Sequence, residues 1–386
     1  MITILNQQSV LLLLADKSTF SNVRDGFLKH GYSEDSIKEQ YLFEERSGSS
    51  FVARKFSDKI GATLSGLDVL VHLFIGQEAI PLGAVDRLLG AQFISDMRKL
   101  DLIRLEEDYD LCWASVRLAP VKGLLICSDR VMGGPFEKDH VFDPCSGTSR
   151  AFIQLAPTTP CEKLLELCCG SAPCCLAAAQ GFAQSACGVD ISSRAIHFAE
   201  FNRRLNGIEN AVMYCGNLFA PVESVVFDRI VAHPPYIPAL ADTVVFRDGG
   251  VDGERVSMEI IRQIPRYLSD RGEFYAYLLL SDRIDSPAEL RVRQLLGAEG
   301  REFDVALLVQ RELRLMEYVS ADKVLMRRPS KESDQLIECC RALGITKFLF
   351  TGLMVRPKRR RTAITLRQKA LSWQTVEAVA GQIIEA

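Results

Sequence analysis

Hydrophobic and polar positions follow two different patterns along the chain. In residues 1–135 the apolar residues recur at helical spacing, most clearly in 20–30 and 67–74, and a short strand pair follows at 102–105 and 112–118. Helices followed by a strand pair are typical of a winged-helix layout, and a helical cap over a catalytic domain explains the same pattern. We favour the cap, because no basic stripe marks the presumed recognition helix.

From about residue 160, short apolar strands alternate with helices. Predicted strands lie at 164–168, 186–190, 211–215, 226–232, 273–280 and 305–309, and predicted helices at 173–181, 192–205 and 254–268. The tail adds a helix at 333–343 and strands at 346–355 and 362–366. This alternation predicts an α/β fold with a doubly wound, mainly parallel sheet. Such sheets bind ligands at the carboxyl ends of their strands.

Composition narrows the class of protein without naming it. The 386 residues are 48% hydrophobic and 25% charged, as in globular proteins with a real core. A net charge of -3 does not favour a nucleic-acid or membrane partner. No apolar run reaches about 18 residues, and no secretory signal is apparent. The 12 cysteines lie in apolar stretches, which favours free thiols and a cytoplasmic location.

Two loops after predicted strands carry the first candidate chemistry. The first strand runs into ELCCGSAP, where Gly170 is flanked by Cys168 and Ala172 at the outer positions of a G-x-G-x-G pattern. Both flanking residues are small, so a tight turn is still expected. Asp190 ends the second strand, where an acid accepts the hydroxyls of a ribose. NAD-binding proteins share this combination. Two of the three glycines that would hold the phosphates of NAD are missing, which argues against NAD.

Successive motifs over roughly 140–310 resemble a known enzyme class. They read ELCCGSAP, GVDIS, RAIHFAEFNRRLNG, GNLFAPV and FDRIVAHPPYIP. Together they are similar to class I S-adenosylmethionine-dependent methyltransferases, in particular the branch with an NPPY-type loop. That branch includes protein glutamine methyltransferases and many nucleic-acid N-methyltransferases. FRDGGVDGE and LSDRGEFYAYLLL also resemble a methyltransferase small-domain group, in which a helical domain precedes the catalytic one.

The resemblance implies two domains and a cofactor. It predicts a helical, winged-helix-like domain over 1–135 and a Rossmann-like methyltransferase domain over 136–386. The implied cofactor is S-adenosyl-L-methionine, with Glu166 and Gly170 at its methionine half, Asp190 at its ribose and Asn217 at its adenine edge. Asn217 is also explained as an ordinary turn residue. The full predicted cofactor-binding set is Glu166, Cys168, Gly170, Asp190, Ile191, Asn217, Leu218 and His233.

The loop His233-Pro234-Pro235-Tyr236, called the HPPY loop below, is the predicted acceptor platform. The prolines fix φ and leave carbonyls free to hold a substrate NH2, and Tyr236 can stack on a planar acceptor. The resemblance has Asn where this chain has His233, which argues against glutamine or adenine methylation. A neutral imidazole can accept a hydrogen bond, act as a base or only cap the strand end. We predict His233 and Tyr236 as catalytic residues, and Pro234, Pro235, Tyr236 and Arg247 as substrate-binding residues.

Two further segments have alternative interpretations. Arg247 and Asp248 could clamp a carboxylate or order a lid whose hinges are the glycines of FRDGGVDGE. The alternative is that they belong to a solvated turn. The stretch DPCSGT at 143–148 either meets the cofactor carboxylate or links the domains.

Neither metal binding nor phosphate binding is predicted. The doublets Cys168-Cys169 and Cys174-Cys175 lack CxxC spacing, and the five histidines lack ligand spacing. The basic run at 356–361 is interpreted as a solvated turn.

The sequence thus predicts an enzyme that transfers methyl from S-adenosylmethionine to a nitrogen or oxygen acceptor at the HPPY loop, in the class EC 2.1.1. The acceptor is open among small molecules, protein and RNA. Two alternatives are a small-molecule biosynthetic enzyme and a non-catalytic, cofactor-sensing winged-helix protein. The rigid HPPY loop favours an enzyme, since a sensor needs no acceptor platform.

Overall fold

The computed structural model describes residues 16–41, 44–46, 49–52, 64–130, 137–145, 147–241, 243–297, 302–325, 328–358, 362–363 and 365–369. Its N-terminal part contains helices α1 (Lys17–Lys29), α2 (Glu34–Gln40), α3 (Gly66–Phe74), α4 (Leu82–Leu89) and α5 (Ala91–Lys99). The strands are β1 (Glu44–Arg46), β2 (Ser49–Val52), β3 (Ile80–Pro81), β4 (Ile103–Glu106), β5 (Leu111–Ala114), β6 (Arg117–Val121) and β7 (Leu124–Ser128). Strands β3, β5 and β4 form a three-stranded sheet in that order, and β6 pairs with β7.

Helix α1 lies against α5. A side chain at Gly26 in α1 would overlap the ring of Phe93 in α5, so only glycine allows this close approach. Phe27 also meets Phe93 edge to face, with 5.4 Å between ring centroids. Helices α3 to α5 are followed by strands β4 and β5 in the predicted order, and one side of α5 is used for packing inside the domain.

The C-terminal part is built on one eight-stranded sheet. Its helices are α6 (Gly147–Leu155), α7 (Pro173–Gly181), α8 (Ser193–Leu205), α9 (Arg255–Tyr267), α10 (Ala288–Leu295), α11 (Leu315–Leu325) and α12 (Ser330–Ala342). Its strands are β8 (Cys161–Leu167), β9 (Ala183–Asp190), β10 (Ala211–Cys215), β11 (Phe227–Ala232), β12 (Leu268–Arg283), β13 (Phe303–Arg314), β14 (Ile345–Pro357) and β15 (Thr365–Lys369). The strand order is β10-β9-β8-β11-β12-β14-β13-β15.

The sheet confirms the predicted α/β, Rossmann-like class. Strands β10, β9, β8, β11 and β12 are parallel neighbours, while β14 runs antiparallel to both β12 and β13. Strands β12 and β13 are longer than predicted. The carboxyl end of β12 and both ends of β13 extend into charged residues that pair with β14, and the start of β12 reaches back to Leu268, opposite Phe227 of β11. A pattern read from apolar residues stops before those charged ends.

Helix α8 joins the two parts of the molecule through paired asparagine side chains. Asn202 accepts from the amide of Cys127 (2.8 Å) and donates to the carbonyls of Cys127 (3.0 Å) and Ser171 (3.1 Å). One helical turn on, Asn206 makes the same amide and carbonyl pair with Leu125. The two asparagines therefore bind the edge of β7 as a neighbouring strand would.

A second link between the parts is a buried ion pair. Arg117 in β6 lies 2.8 Å from Asp143, and both side chains are almost fully buried. Arg117 also donates to the carbonyl of Ile75. The predicted boundary at 135 lies outside the described residues. In the described part of the chain, no helix is long and apolar enough to span a membrane.

We expect Asn202→Ala to destabilise the protein more than Asn206→Ala. The substitution at Asn202 leaves one amide and two carbonyls without a partner in a fully buried place, at about 1–3 kcal/mol for each group. Asn206 is only half-buried, so water can replace part of its bonding. Urea unfolding of both variants measures the difference, and equal losses of unfolding free energy would contradict the packing described for α8.

Candidate functional site

A cavity of about 1110 Å³ lies at the carboxyl ends of β8, β9 and β11. Strand order reverses here, since the chain leaves β8 towards β9 on one side and later adds β11 on the other. All predicted site residues line this cavity: Glu166, Cys168, Gly170, Asp190, Ile191, Asn217, Leu218, His233, Pro234, Pro235, Tyr236 and Arg247. The fold therefore brings the set together, while the individual roles stay predictions.

The turn between β8 and α7 is unusual in its backbone conformation. Cys168, Gly170 and Ala172 all have positive φ, at 54°, 53° and 60°. These are the three positions at which a G-x-G-x-G motif has glycine. The turn predicted from small residues is present, and two residues with a Cβ adopt the left-handed conformation in it, at a cost of roughly 1–2 kcal/mol each.

Glu166 has a role that the sequence interpretation missed. Its carboxylate accepts a hydrogen bond from the amide of Cys175 at 2.6 Å, in the first turn of α7. The N-cap residue of that helix, Ala172, has no side-chain oxygen, so Glu166 supplies the cap from the neighbouring strand. Burial raises the pKa of Glu166 to about 8, although the amides of Cys175 and Cys174 oppose the shift.

Asp190, the last residue of β9, links that strand to the turn between β8 and α7. One carboxylate oxygen accepts from the amide of Gly170 at 2.8 Å, and the other from the amide of Ser192 at 2.9 Å. Burial raises the pKa of this carboxyl, and the amides of Ser192 and Gly170 oppose that effect. Beside it, the apolar side chain of Ile191 is 60% exposed. A carboxylate next to an exposed apolar surface suits a nucleoside, whose sugar is polar and whose base is flat and apolar on its faces.

His233 lies in an aromatic box. Its ring is 5.3 Å from Phe152, 5.5 Å from Tyr236 and 5.8 Å from Tyr277, measured between centroids. Within the described part of the chain, its buried Nε2 atom has no hydrogen-bond partner. Burial lowers the pKa of His233 to about 4. The imidazole is therefore neutral near pH 7, so it can accept a hydrogen bond but is a weak base.

Tyr236 is buried at the wall of the cavity. Its hydroxyl shares a hydrogen bond of 2.5 Å with that of Thr148, from the 143–148 stretch at the start of α6. Burial raises the pKa of Tyr236, and the bond to Thr148 opposes the shift, so the phenol is neutral near pH 7. Ser146 of that stretch lies outside the described residues.

Arg247 is engaged within its own loop. Its Nε donates to the adjacent Asp248 at 2.7 Å, and a terminal nitrogen lies 3.3 Å from the hydroxyl of Thr243. These contacts hold the guanidinium at the wall of the cavity. Arg247 as a clamp for a substrate carboxylate stays a prediction.

Several residues of the site carry no signal in the sequence. Phe152, Tyr277 and Phe350 come from α6, β12 and β14, and they surround His233 or Tyr236. Tyr318 in α11 lines the cavity, and its buried hydroxyl has no hydrogen-bond partner among the described residues. Because these residues lie on distant elements, no local motif could have identified them.

The weaker sequence features do not form sites in the described part of the chain. No group of three or more His, Cys, Asp or Glu that could hold a metal occurs there, and the cysteines are free thiols. Arg356 is buried at the end of β14, 3.6 Å from Asp304, so it does not belong to a solvated turn as predicted. Lys358 pairs with Glu302 at 2.8 Å, and 359–361 lie outside the described residues.

Comparison with known proteins matches the segment that carries most of the cavity lining. Residues 136–280 match the family model described as "Methyltransferase domain". The chain is 34% identical to the ribosomal protein uL3 glutamine methyltransferase of Bradyrhizobium diazoefficiens, over 30% of this chain and 40% of that protein. It is 30% identical to the release factor glutamine methyltransferase of Thermodesulfovibrio yellowstonii, over 29% of this chain and 44% of that protein. The chain thus spans less than half the length of either relative.

Solved structures share the fold only distantly. The ribosomal protein L11 methylase of Lactobacillus delbrueckii subsp. bulgaricus is 19% identical, with a TM-score of 0.32 over 55% of this chain and 79% of that one. Coclaurine N-methyltransferase, bound to N-methylheliamine and SAH, is 11% identical, with a TM-score of 0.33 over 54% of this chain and 70% of that one.

Residues 136–280, which carry the parallel strands β8 to β11 and much of the cavity lining, are thus similar to a methyltransferase domain. S-adenosylmethionine is the cofactor of this class, as the sequence motifs predicted.

We expect Ala172→Gly to stabilise the protein by about 1 kcal/mol, because glycine adopts the φ of 60° without a Cβ penalty. Ala178→Gly is the matched control inside α7, where the same change should destabilise by about 1 kcal/mol. Chemical unfolding of the two variants gives both values. A loss of stability at position 172 would show that the left-handed turn is not strained.

Proposed function

We propose that this chain transfers the methyl group of S-adenosyl-L-methionine to a nitrogen or oxygen atom held at the HPPY loop. The observation that carries this proposal is that one cavity joins two sets of groups. The loops of Gly170 and Asp190 line it beside β8 and β9, and the HPPY loop lines it beside β11, with His233, whose buried Nε2 has no partner among the described residues, in the lining.

The residues present fit the cofactor. Asp190 stands at the end of β9, where a ribose binds in doubly wound sheets. Nothing lies within 4 Å of the position that a Cβ of Gly170 would occupy, so backbone is open to a ligand there. Ile191 and Leu218 supply apolar surface for the adenine, and Asn217 supplies amide groups for its edge.

The HPPY loop would align the acceptor. S-adenosylmethionine supplies an electrophilic methyl group, so the protein mainly has to fix the approach and exclude water. Good alignment is worth up to roughly 7–11 kcal/mol. Neutral His233 can accept a hydrogen bond from an N–H or O–H group of the acceptor. That bond orients the lone pair of the acceptor nitrogen or oxygen. With a pKa of about 4, this imidazole acts as an acceptor rather than as the final holder of the proton.

A protein is the acceptor class that we favour. Both relatives are named for glutamine methylation, one on a ribosomal protein and one on a release factor. In this proposal His233 replaces an amide oxygen as the hydrogen-bond acceptor. A small-molecule acceptor is the second candidate, supported by the enclosed aromatic wall around Tyr236.

We expect calorimetry to detect binding of S-adenosylmethionine and of its demethylated product. Asp190→Ala should weaken binding by about tenfold or more, because a hydrogen bond to a charged group is worth about 1.5–3 kcal/mol and 1.4 kcal/mol is tenfold. Asp139→Ala, an exposed acid at the cavity rim, is the matched control and should bind normally.

The same preparation, given methyl-labelled cofactor and cell extract, should label the protein fraction. Label in the small-molecule fraction alone would favour the second candidate. Binding without label in protein, RNA or small molecules would favour the cofactor sensor over an enzyme.

The rate of label transfer should not fall between about pH 7.5 and 5.5. The pKa of His233 is lowered to about 4, so the imidazole stays neutral as the pH falls through 6.5, where a free imidazole would become charged. His233→Asn should retain part of the rate, because its amide oxygen still accepts. His233→Ala should lose about tenfold or more, for a lost hydrogen bond of 1–3 kcal/mol. Full turnover in both variants would remove His233 from the acceptor site.

A further inference from the structure

We propose that residues 243–254, called the clasp below, are a positioning element that sets the orientation of the HPPY loop, and that Gly253 is its critical contact. This inference rests on the proposed function, since it assigns a means of acceptor alignment. It replaces the idea of a mobile lid jointed by glycines.

The loop after β11 has few groups with which to hold itself. Pro234, Pro235 and Pro238 have no amide hydrogen, so they cannot donate to the surrounding backbone. The amide of Ile237 donates to the carbonyl of Arg247, and that of Ala239 to the carbonyl of Gly250, both at 2.9 Å.

The clasp also donates a hydrogen bond to the loop. The amide of Gly249 donates to the carbonyl of Ile237 at 2.9 Å, and Ile237 and Asp248 form a parallel bridge. The proline-rich loop is therefore oriented by hydrogen bonds from and to the clasp.

Two glycines allow the clasp to lie directly on the HPPY loop. A Cβ at Gly253 would overlap the carbonyl oxygen of Tyr236, and Gly253 has a φ of +78°. A Cβ at Gly249 would come within 2.8 Å of both the carbonyl oxygen of Pro235 and the Cα of Tyr236. These neighbours are backbone atoms, so they cannot rotate away as a side chain would. Any larger residue must therefore displace the HPPY loop or the clasp.

The N-terminal half of the clasp is folded on itself around Asp248. Asp248 is 3% exposed, and its carboxylate accepts from the amides of Thr243 (2.8 Å) and Val244 (2.9 Å). Although burial opposes it, hydrogen bonds from Arg247, Val244 and Thr243 hold the pKa of Asp248 below its ordinary value.

Glu254 anchors the other end. It is buried and accepts from the amide and hydroxyl of Ser281 in β12, at 2.6 and 2.9 Å. It also pairs with Arg283 and Arg291. At the N-terminal end, the amide of Val245 donates to the carbonyl of Lys138 at 2.8 Å. With both ends held, an added methyl group at Gly253 should move the HPPY loop rather than the clasp.

The cofactor loops would be spared such a displacement. They follow β8 and β9, whereas the HPPY loop follows β11 on the other side of β8. A shift of the HPPY loop should therefore lower the rate of transfer and leave cofactor affinity unchanged. A misplacement of about 1 Å can cost on the order of 100-fold in rate.

The test compares Gly253→Ala with Gly123→Ala. Gly123 has a matching φ of +79° but nothing within 4 Å of its Cβ position, so it reports backbone strain without contact. Cofactor Kd is measured by calorimetry, and the maximal rate and half-saturating extract concentration by label transfer from S-adenosylmethionine. We expect Gly253→Ala to keep its Kd within about twofold and to lose about tenfold or more in maximal rate. Gly123→Ala should keep both.

An unchanged maximal rate in Gly253→Ala, or a loss of rate matched by a loss of cofactor affinity, would overturn the positioning role. If Gly253→Ala does not fold, Asp248→Ala, which removes the acceptor for Thr243 and Val244, is judged by the same two measurements. Wild-type protein that binds cofactor and labels nothing would overturn the proposed function itself, a result distinct from a failure of the variant alone.

Discussion

Two buried carboxylates hold the loop between β8 and α7 in the conformation on which the cavity depends. Cys168 and Ala172 have left-handed backbone there, which costs roughly 1–2 kcal/mol each. Glu166, whose pKa burial raises to about 8, caps α7, and Asp190 accepts from the amide of Gly170. A net hydrogen bond is worth about 0.5–1.5 kcal/mol, and one to a charged group about 1.5–3 kcal/mol. These hydrogen bonds oppose the strain of the turn, and the same two acids border the cavity.

The conformation of the HPPY loop, the second loop of the cavity, is set by residues outside that loop. The prolines of the HPPY loop remove its donors, and the clasp supplies its hydrogen bonds and its close contacts. The aromatic rings around His233 keep its imidazole neutral by excluding water. A rigid loop with a neutral acceptor suits methyl transfer, in which alignment matters more than proton exchange.

The N-terminal part is connected to both loops of the cavity. Asn202 bonds to Cys127 in β7 and also to the carbonyl of Ser171, within the turn that follows β8. The buried pair of Arg117 with Asp143 adds a link to the segment that leads into α6, and Thr148 of that helix meets Tyr236. Packing between the two parts and shaping of the cavity therefore use shared residues.

Local pattern was sufficient for much of the fold and for the loops of the site. The sequence alone predicted α7 at 173–181 and β10 at 211–215 as observed, and it selected the residues that line the cavity, because strand ends and the loops after them are adjacent in the chain. Only tertiary structure decided the rest. The box of Phe152 and Tyr277 around His233, its lowered pKa and the contact of Gly253 with Tyr236 join residues far apart in sequence. Their energies come from burial and close packing, which have no local periodicity.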